Sequence, residues 1–132
     1  MVARMSRQLF STGSVWEPLL GCSRAVRSGD LLSISACGPL APDGKTTAAP
    51  DAYGQAKRCL EIIAGVIAQA GFSLADVVKT RVYFKDHAHW EDLARAHGEV
   101  FKDIRPATAM IQISKLIDPD MVVEIEADAI LE

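Results

Sequence analysis

The chain has 132 residues, the length of a single domain spanning 1–132. Apolar residues make up 49% and charged residues 23%, the balance of an ordinary globular protein, which excludes disorder, collagen-like repeats and low-complexity sequence. Lys and Arg number 14 against 17 Asp and Glu, a net charge of −3, which argues against a broad basic surface for nucleic acid.

The N-terminus is basic, and Met5 could serve as a second start. The apolar run that follows, Gln8-Leu9-Phe10-Ser11, is too short for a signal peptide, and no run reaches the ~18 residues of a membrane helix. A cytoplasmic protein without a membrane partner is expected. Residues 6–10 form a weak strand candidate. Residues 11–21 hold two Gly and one Pro and read as a loop. Residues 23–27 and Leu31–Cys37 read as a hairpin turning at Ser28-Gly29-Asp30. Residues 38–50 carry three Pro and two Gly, a long connection with a Pro42-Asp43-Gly44 turn.

Asp51 is an N-cap for a helix running to Ala70, with Gly71 as its C′ residue. Ala56, Leu60, Ile63, Ile67 and Ala70 recur at helical spacing, and Ile62 and Val66 widen the stripe. Val77–Phe84 is rich in strand formers. Trp90, Leu93, Ala94, His97 and Phe101 mark a second helix, and Pro106 stops what precedes it. Residues 107–113 and 122–130 are the last strands. In the latter, Val123, Ile125, Ala127 and Ala129 face one way and Glu124, Glu126 and Asp128 the other. The order βββαβαββ predicts an α+β fold, with two helices packed on one sheet face. The other face, partly polar, must meet water, a ligand or a partner subunit.

Several blocks lie along this order. They are Arg24-Ala25-Val26 with Gly29-Asp30, Ile34-Ser35 with Pro39-Leu40 and Pro42-Asp43-Gly44, and Gln55 with Cys59-Leu60 and Ile63. Ala70-Gly71, Leu74-Ala75-Asp76-Val77-Val78-Lys79 and Lys85-Asp86 follow. Phe101 with Arg105-Pro106-Ala107, and Val123-Glu124-Ile125-Glu126-Ala127 with Ala129, complete the set. Together they resemble the Rid family of reactive intermediate deaminases, also called YjgF/YER057c/UK114, over nearly the whole chain. The resemblance implies a chorismate-mutase-like fold that forms a homotrimeric barrel with pockets between subunits. It implies hydrolysis of reactive imines or enamines to carbonyl compounds and ammonia, with no metal or organic cofactor.

The resemblance assigns the catalytic carboxylate to Glu124. The family's carboxylate-gripping Arg, in Pro-Ala-Arg, is replaced in Pro106-Ala107-Thr108 by Thr108, which marks a divergent member. The pocket Tyr becomes Cys22, the Ser-Gly pair becomes Ser35-Ala36, the position two after the lost Arg becomes Met110, and a pocket Asn becomes Ala94. The expected substrate site is thus Cys22, Ser35, Ala36, Thr108 and Met110 around Glu124. Loss of a hydrogen bond to a charged group costs roughly 1.5–3 kcal/mol. A simple 2-imino acid is therefore not the expected substrate unless another Arg reaches in; Arg24 and Arg81, both on strands, are the candidates.

Other residues read as structure. Glu126 and Asp128 form a charged stripe, and Cys22, Cys37 and Cys59 are free thiols in an odd set without CxxC. Cys59 reads as packing and Cys37 as an edge of the pocket. His87 and His89 are two apart, not at metal-ligand spacing; His97 reads as a core histidine and Trp90 as packing. The alternative to a small-molecule hydrolase is a non-catalytic binding or regulatory trimer. An endoribonuclease or translation inhibitor is the least favoured, given the acidic balance.

Overall fold

The computed structural model describes residues 7–132. Six strands and three α-helices follow in the order β1 (Gln8–Phe10), α1 (Trp16–Leu20), β2 (Ala25–Ser28), β3 (Leu31–Cys37), α2 (Ala52–Gln69), β4 (Val77–Phe84), α3 (Trp90–Phe101), β5 (Ala107–Gln112) and β6 (Val123–Ile130). Ser6, the first residue of the expected first strand, lies outside the described residues. The strands form one sheet in the order β1-β2-β3-β6-β4-β5. All neighbours are antiparallel except β4 and β5, which run parallel through the α3 crossover.

The two long helices form where the apolar period demands. Asp51 caps α2 by accepting from the Gly54 N–H at 2.9 Å, and its apolar stripe, Ala56, Leu60, Ile63, Val66 and Ile67, is buried. The helix ends in a Schellman motif: Gly71 N donates to Ala68 O and Phe72 N to Ile67 O, with Gly71 at φ +82°. Val123, Ile125, Ala127 and Ala129 of β6 meet α2 and join one core with Leu93, Ala96 and Phe101 of α3. The alternation read in β6 holds: Glu124, Glu126 and Asp128 lie on the opposite face.

Two expectations fail locally. Residues 11–21 contain the helix α1 and are not a plain loop. Pro18 sits in its first turn, where no N–H is needed for a helical bond. Trp90, expected to start the packed face of α3, is 43% exposed, because it occupies the helix's first position before the buried Leu93.

Two loops are pinned beside the sheet. Gly44 at φ +74° brings its backbone against Gly13, where any Cβ would lie 2.6 Å from the Gly13 carbonyl oxygen, and Gly44 O accepts from Val15 N. This contact seats the start of α1. Gln55, 1% exposed, donates to Ala49 O and Asp120 O and accepts from Val122 N. One buried amide thus ties α2 to both loops, and so positions Met121.

Candidate active site

The bulge in β3 opens the site. Ile34 pairs with Ala127 and Cys37 with Ile125, so β3 carries one extra residue, and Ser35 and Ala36 leave the ladder. Beside them lies a cavity of about 220 Å3 whose polar lining includes Cys22, Arg24, Ser35, Asp118 and Glu124. Trp16 and Leu20 of α1, with Leu40, Ile117 and Met121, supply the apolar lining. A wider depression of about 610 Å3 touches Arg7, Leu9, Cys22, Ser33 and Ser35, and among the described residues its lining holds no carboxylate.

Arg24 is the organising cation. It is 6% exposed. Its Nη1 donates to Ser35 Oγ at 3.0 Å, Ala36 O at 3.0 Å and Cys37 Sγ at 3.4 Å, and its Nε donates to Thr12 Oγ1 at 3.3 Å. Ser35 Oγ donates back to Arg24 O at 3.0 Å. Among the described residues Nη2 has no protein partner, so its donors are unpaired within the chain. Arg81, the other candidate, is committed elsewhere: its Nη1 meets Glu126 at 3.3 Å and Asp128 at 3.4 Å. Tyr83 Oη donates to Glu126 at 2.8 Å and Ser33 Oγ to Asp128 at 3.0 Å, so the lower carboxylates of β6 form a structural stripe.

Glu124 differs from its two neighbours. Burial pushes its carboxyl above the ordinary value; the nearby Arg24 opposes this and Glu126 adds to it. A carboxylate of raised basicity, in a cavity with a buried cation, can take a proton from water near neutral pH. The two buried thiols, Cys37 and Cys59, cannot compete as nucleophiles. Burial, opposed by Arg24, pushes Cys37 up to about 11, and burial also raises Cys59 well above its usual value. Cys22 is exposed at the cavity wall.

A second carboxylate, unforeseen in the sequence, stands behind Arg24. Glu17 of α1 is 7% exposed, and its Oε2 accepts from Thr12 N, Thr12 Oγ1 and Ser14 N at 3.1–3.3 Å. Thr12 Oγ1 in turn accepts from Arg24 Nε, making a chain Glu17–Thr12–Arg24. Burial raises the Glu17 carboxyl, but hydrogen bonds from Ser11, Thr12 and Ser14 and the charge of Arg24 together hold it below its usual value. The ionised form therefore stabilises the fold above the ordinary carboxylate pKa, and this stabilisation is lost as pH falls through the folded value. Glu17→Ala strands buried donors and is expected to cost about 1–3 kcal/mol at pH 7. Urea unfolding checks this: the gap between wild type and variant narrows below the carboxylate range, and a gap independent of pH would contradict it.

The expected site is therefore only partly assembled within one chain. Cys22, Ser35, Ala36 and Glu124 meet at the cavity, whereas Thr108 and Met110 do not. Both lie on β5 at the sheet edge, two strands from β6, with Thr108 level with Thr80 and Met110 level with Val82. Thr108 Oγ1 is paired with Thr80 Oγ1 at 2.8 Å, which also meets His97 Nε2 at 2.8 Å. His97 is thus a satisfied, half-buried histidine, its pKa lowered by burial. Ala94 on α3 is likewise absent from the cavity lining. Among the described residues no three His, Cys, Asp or Glu side chains converge as metal ligands, and no helix is long and apolar enough to cross a membrane.

Comparison with known proteins matches residues 14–131 to the family described as Endoribonuclease L-PSP. The crystal structure of a Mycobacterium tuberculosis protein of the YjgF/YER057c/UK114 family superposes with a TM-score of 0.87 at 38% identity, covering 96% of this chain and 100% of that one. A RutC family protein of Pyrococcus abyssi is 30% identical over 97% of this chain and all of its own. A protein of Acinetobacter baylyi named 3-aminoacrylate deaminase RutC is 29% identical over 95% of this chain and 98% of its own.

Proposed function

The chain belongs to the YjgF/YER057c/UK114 (Rid) family, also described as Endoribonuclease L-PSP, and from that premise we propose that it hydrolyses reactive imines or enamines to a carbonyl compound and ammonia. The observation that carries the reading is the joint presence of Glu124 and Arg24 in the lining of one small cavity. Glu124 takes a proton from water while the water oxygen bonds to the imine carbon. The proton passes to nitrogen, the C–N bond of the carbinolamine breaks, ammonia leaves, and the carbonyl remains. Imine and water are consumed; carbonyl and ammonia are formed.

We assign to Arg24, which lines the cavity, the part of the Arg that Thr108 replaces. Its unpartnered Nη2 supports a grip on a substrate carboxylate, so a carboxylated imine becomes the favoured substrate. The name of the Acinetobacter relative supports this direction, since 3-aminoacrylate is an enamine bearing a carboxylate. An RNA substrate has less support. The net charge is −3, and among the described residues Arg24 is the lone cation of the cavity lining, beside Asp118 and Glu124.

Thr108 and Met110 enter this reading through assembly. The β5 edge strand leaves Thr108, Met110 and Ile111 exposed, an unpaired border suited to a second copy of the chain. A homotrimer with the β5 residues of one subunit closing the cavity of the next restores the full expected set. Sedimentation at micromolar concentration is expected to give three times the 14.2 kDa chain mass, and a monomer would contradict the shared site. The activity itself is tested by ammonia release from freshly generated imines, carboxylated and neutral. Acceleration over buffer, strongest for the carboxylated members, is expected; none across the panel would leave the binding-module reading in its place.

A further inference from the structure

Three contacts join α3 to the edge of the sheet. His97 Nε2 lies 2.8 Å from Thr80 Oγ1, Thr80 Oγ1 lies 2.8 Å from Thr108 Oγ1, and Thr108 Oγ1 lies 3.2 Å from the Pro106 carbonyl oxygen. Thr80 and Thr108 stand level on the parallel strands β4 and β5. The chain runs outward, from Thr80 at 0% exposure to Thr108, exposed on the edge strand. The His97 ring rests against the Phe101 ring, their centroids 4.7 Å apart.

Proton counting gives this chain a direction. Each contact needs one hydrogen, and each hydroxyl owns one. The Pro106 carbonyl only accepts, so Thr108 supplies the hydrogen of the outermost contact. Thr80 must then donate to Thr108, and His97 must donate to Thr80 through an Nε2–H. A bare Nε2 reverses the order: Thr80 donates to His97, Thr108 donates to Thr80, and the Pro106 contact loses its hydrogen. If His97 and Thr108 both donated to Thr80, the buried Thr80 hydrogen would have no acceptor. Only the Nε2–H tautomer satisfies all three contacts. Among the described residues Nδ1 has no hydrogen-bond partner. The surface depression that His97 lines holds Lys102 and Arg105 and, among the described residues, no carboxylate to accept an Nδ1–H.

The direction decides what Thr108 recognises. With an Nε2–H on His97, the Thr108 hydrogen is held only by the exposed 3.2 Å contact and is free to turn to a ligand oxygen while Thr80 donates from behind. In the reversed order that hydrogen is spent on Thr80, and Thr108 presents lone pairs alone. We propose that His97, as its Nε2–H tautomer, is a positioning residue that makes the Thr108 hydroxyl a donor at the β5 edge, aimed at an oxygen of an anionic substrate. The ligand half rests on the shared-site reading above, in which β5 of one subunit closes the cavity of the next. The tautomer half rests on contacts within one chain. Thr108 thus adds one neutral hydrogen bond beside the charge of Arg24.

The test has one arm for each half. Long-range proton–nitrogen NMR correlation on the full chain, at a pH well above the ordinary histidine pKa, reads the tautomer of each neutral ring. His97 is identified by the signal lost in His97→Gln, and an Nε2–H ring is expected. Calorimetric titration with pyruvate, a stable carboxylate bearing a carbonyl, reads the recognition. Thr108→Val and His97→Leu should each weaken binding about two- to tenfold, the net worth of one neutral hydrogen bond. The double variant should lose no more than the weaker single one, because the two residues act as one unit. His97→Gln, whose amide N–H can donate to Thr80, should bind closer to wild type than His97→Leu, at equal folded fraction by thermal melting. Where His97→Leu fails to fold, the wild-type tautomer decides. An Nδ1–H ring, losses that add in the double variant, no difference between His97→Gln and His97→Leu, or no affinity of the wild type for pyruvate would overturn the proposal. Coupled losses of pyruvate affinity without ammonia release would remove the deaminase reading and leave the positioning role standing.

Discussion

Glu124→Gln is expected to lower kcat by about 10²–10⁴, the usual worth of a positioned general base, while the protein still folds. The amide keeps the shape and one acceptor but cannot take a proton from water. Its effect on stability has a defined sign. Burial raises the folded pKa of Glu124 above its unfolded value, so the protonated form favours the fold, and that contribution is lost as pH rises through the folded pKa. At neutral pH the neutral amide therefore leaves the melting temperature unchanged or higher. The wild-type rate should fall on the acid side with a pKa above the ordinary carboxylate range, and this limb should be absent in the residual activity of the variant. A melting temperature that drops with the rate would mark Glu124 as structural instead.

Arg24→Lys is expected to raise KM about ten- to a hundredfold, the worth of a hydrogen bond to a charged group, roughly 1.5–3 kcal/mol, with a smaller effect on kcat. Lysine keeps the charge near Glu17 and Glu124 but loses the planar fork that spans Thr12, Ser35 and Ala36 with an edge to spare. Arg24→Met removes the charge as well. Because Arg24 opposes the upward shift of Glu124, the acid limb of the rate profile should then move to higher pH. Steady-state kinetics over pH separates these effects. An unchanged KM in Arg24→Lys would show that the carboxylate is held elsewhere.

What the sequence disclosed, and what it withheld, follows from physical range. The periods of α2 and α3 and the alternation of β6 are local patterns repeated over many residues, so both helices and the facing of Glu124 were legible. The five-residue helix α1 is too short to show a period, and with Pro18 inside it the segment read as a loop. Its residues Trp16, Glu17 and Leu20 were therefore missed at the site. The one available signal was Glu17, an acid before Pro18 in a stretch of Ser, Thr and Gly whose N–H groups need acceptors. Arg24 was legible only as a candidate, because its fate depends on a bulge at Ser35-Ala36 formed against β6, nearly ninety positions away in the chain. Thr108 and Met110 were grouped with Ser35 and Ala36 by resemblance, and one chain alone keeps them apart.

The most direct measurement is the initial rate of ammonia release from a freshly generated carboxylated imine. Wild type, Glu124→Gln and buffer would be run side by side at one pH. Rapid release by the wild type, with the variant close to buffer at equal folded concentration, is the predicted result. Equal rates for wild type and buffer, or for wild type and variant, would contradict a hydrolytic site built on Glu124.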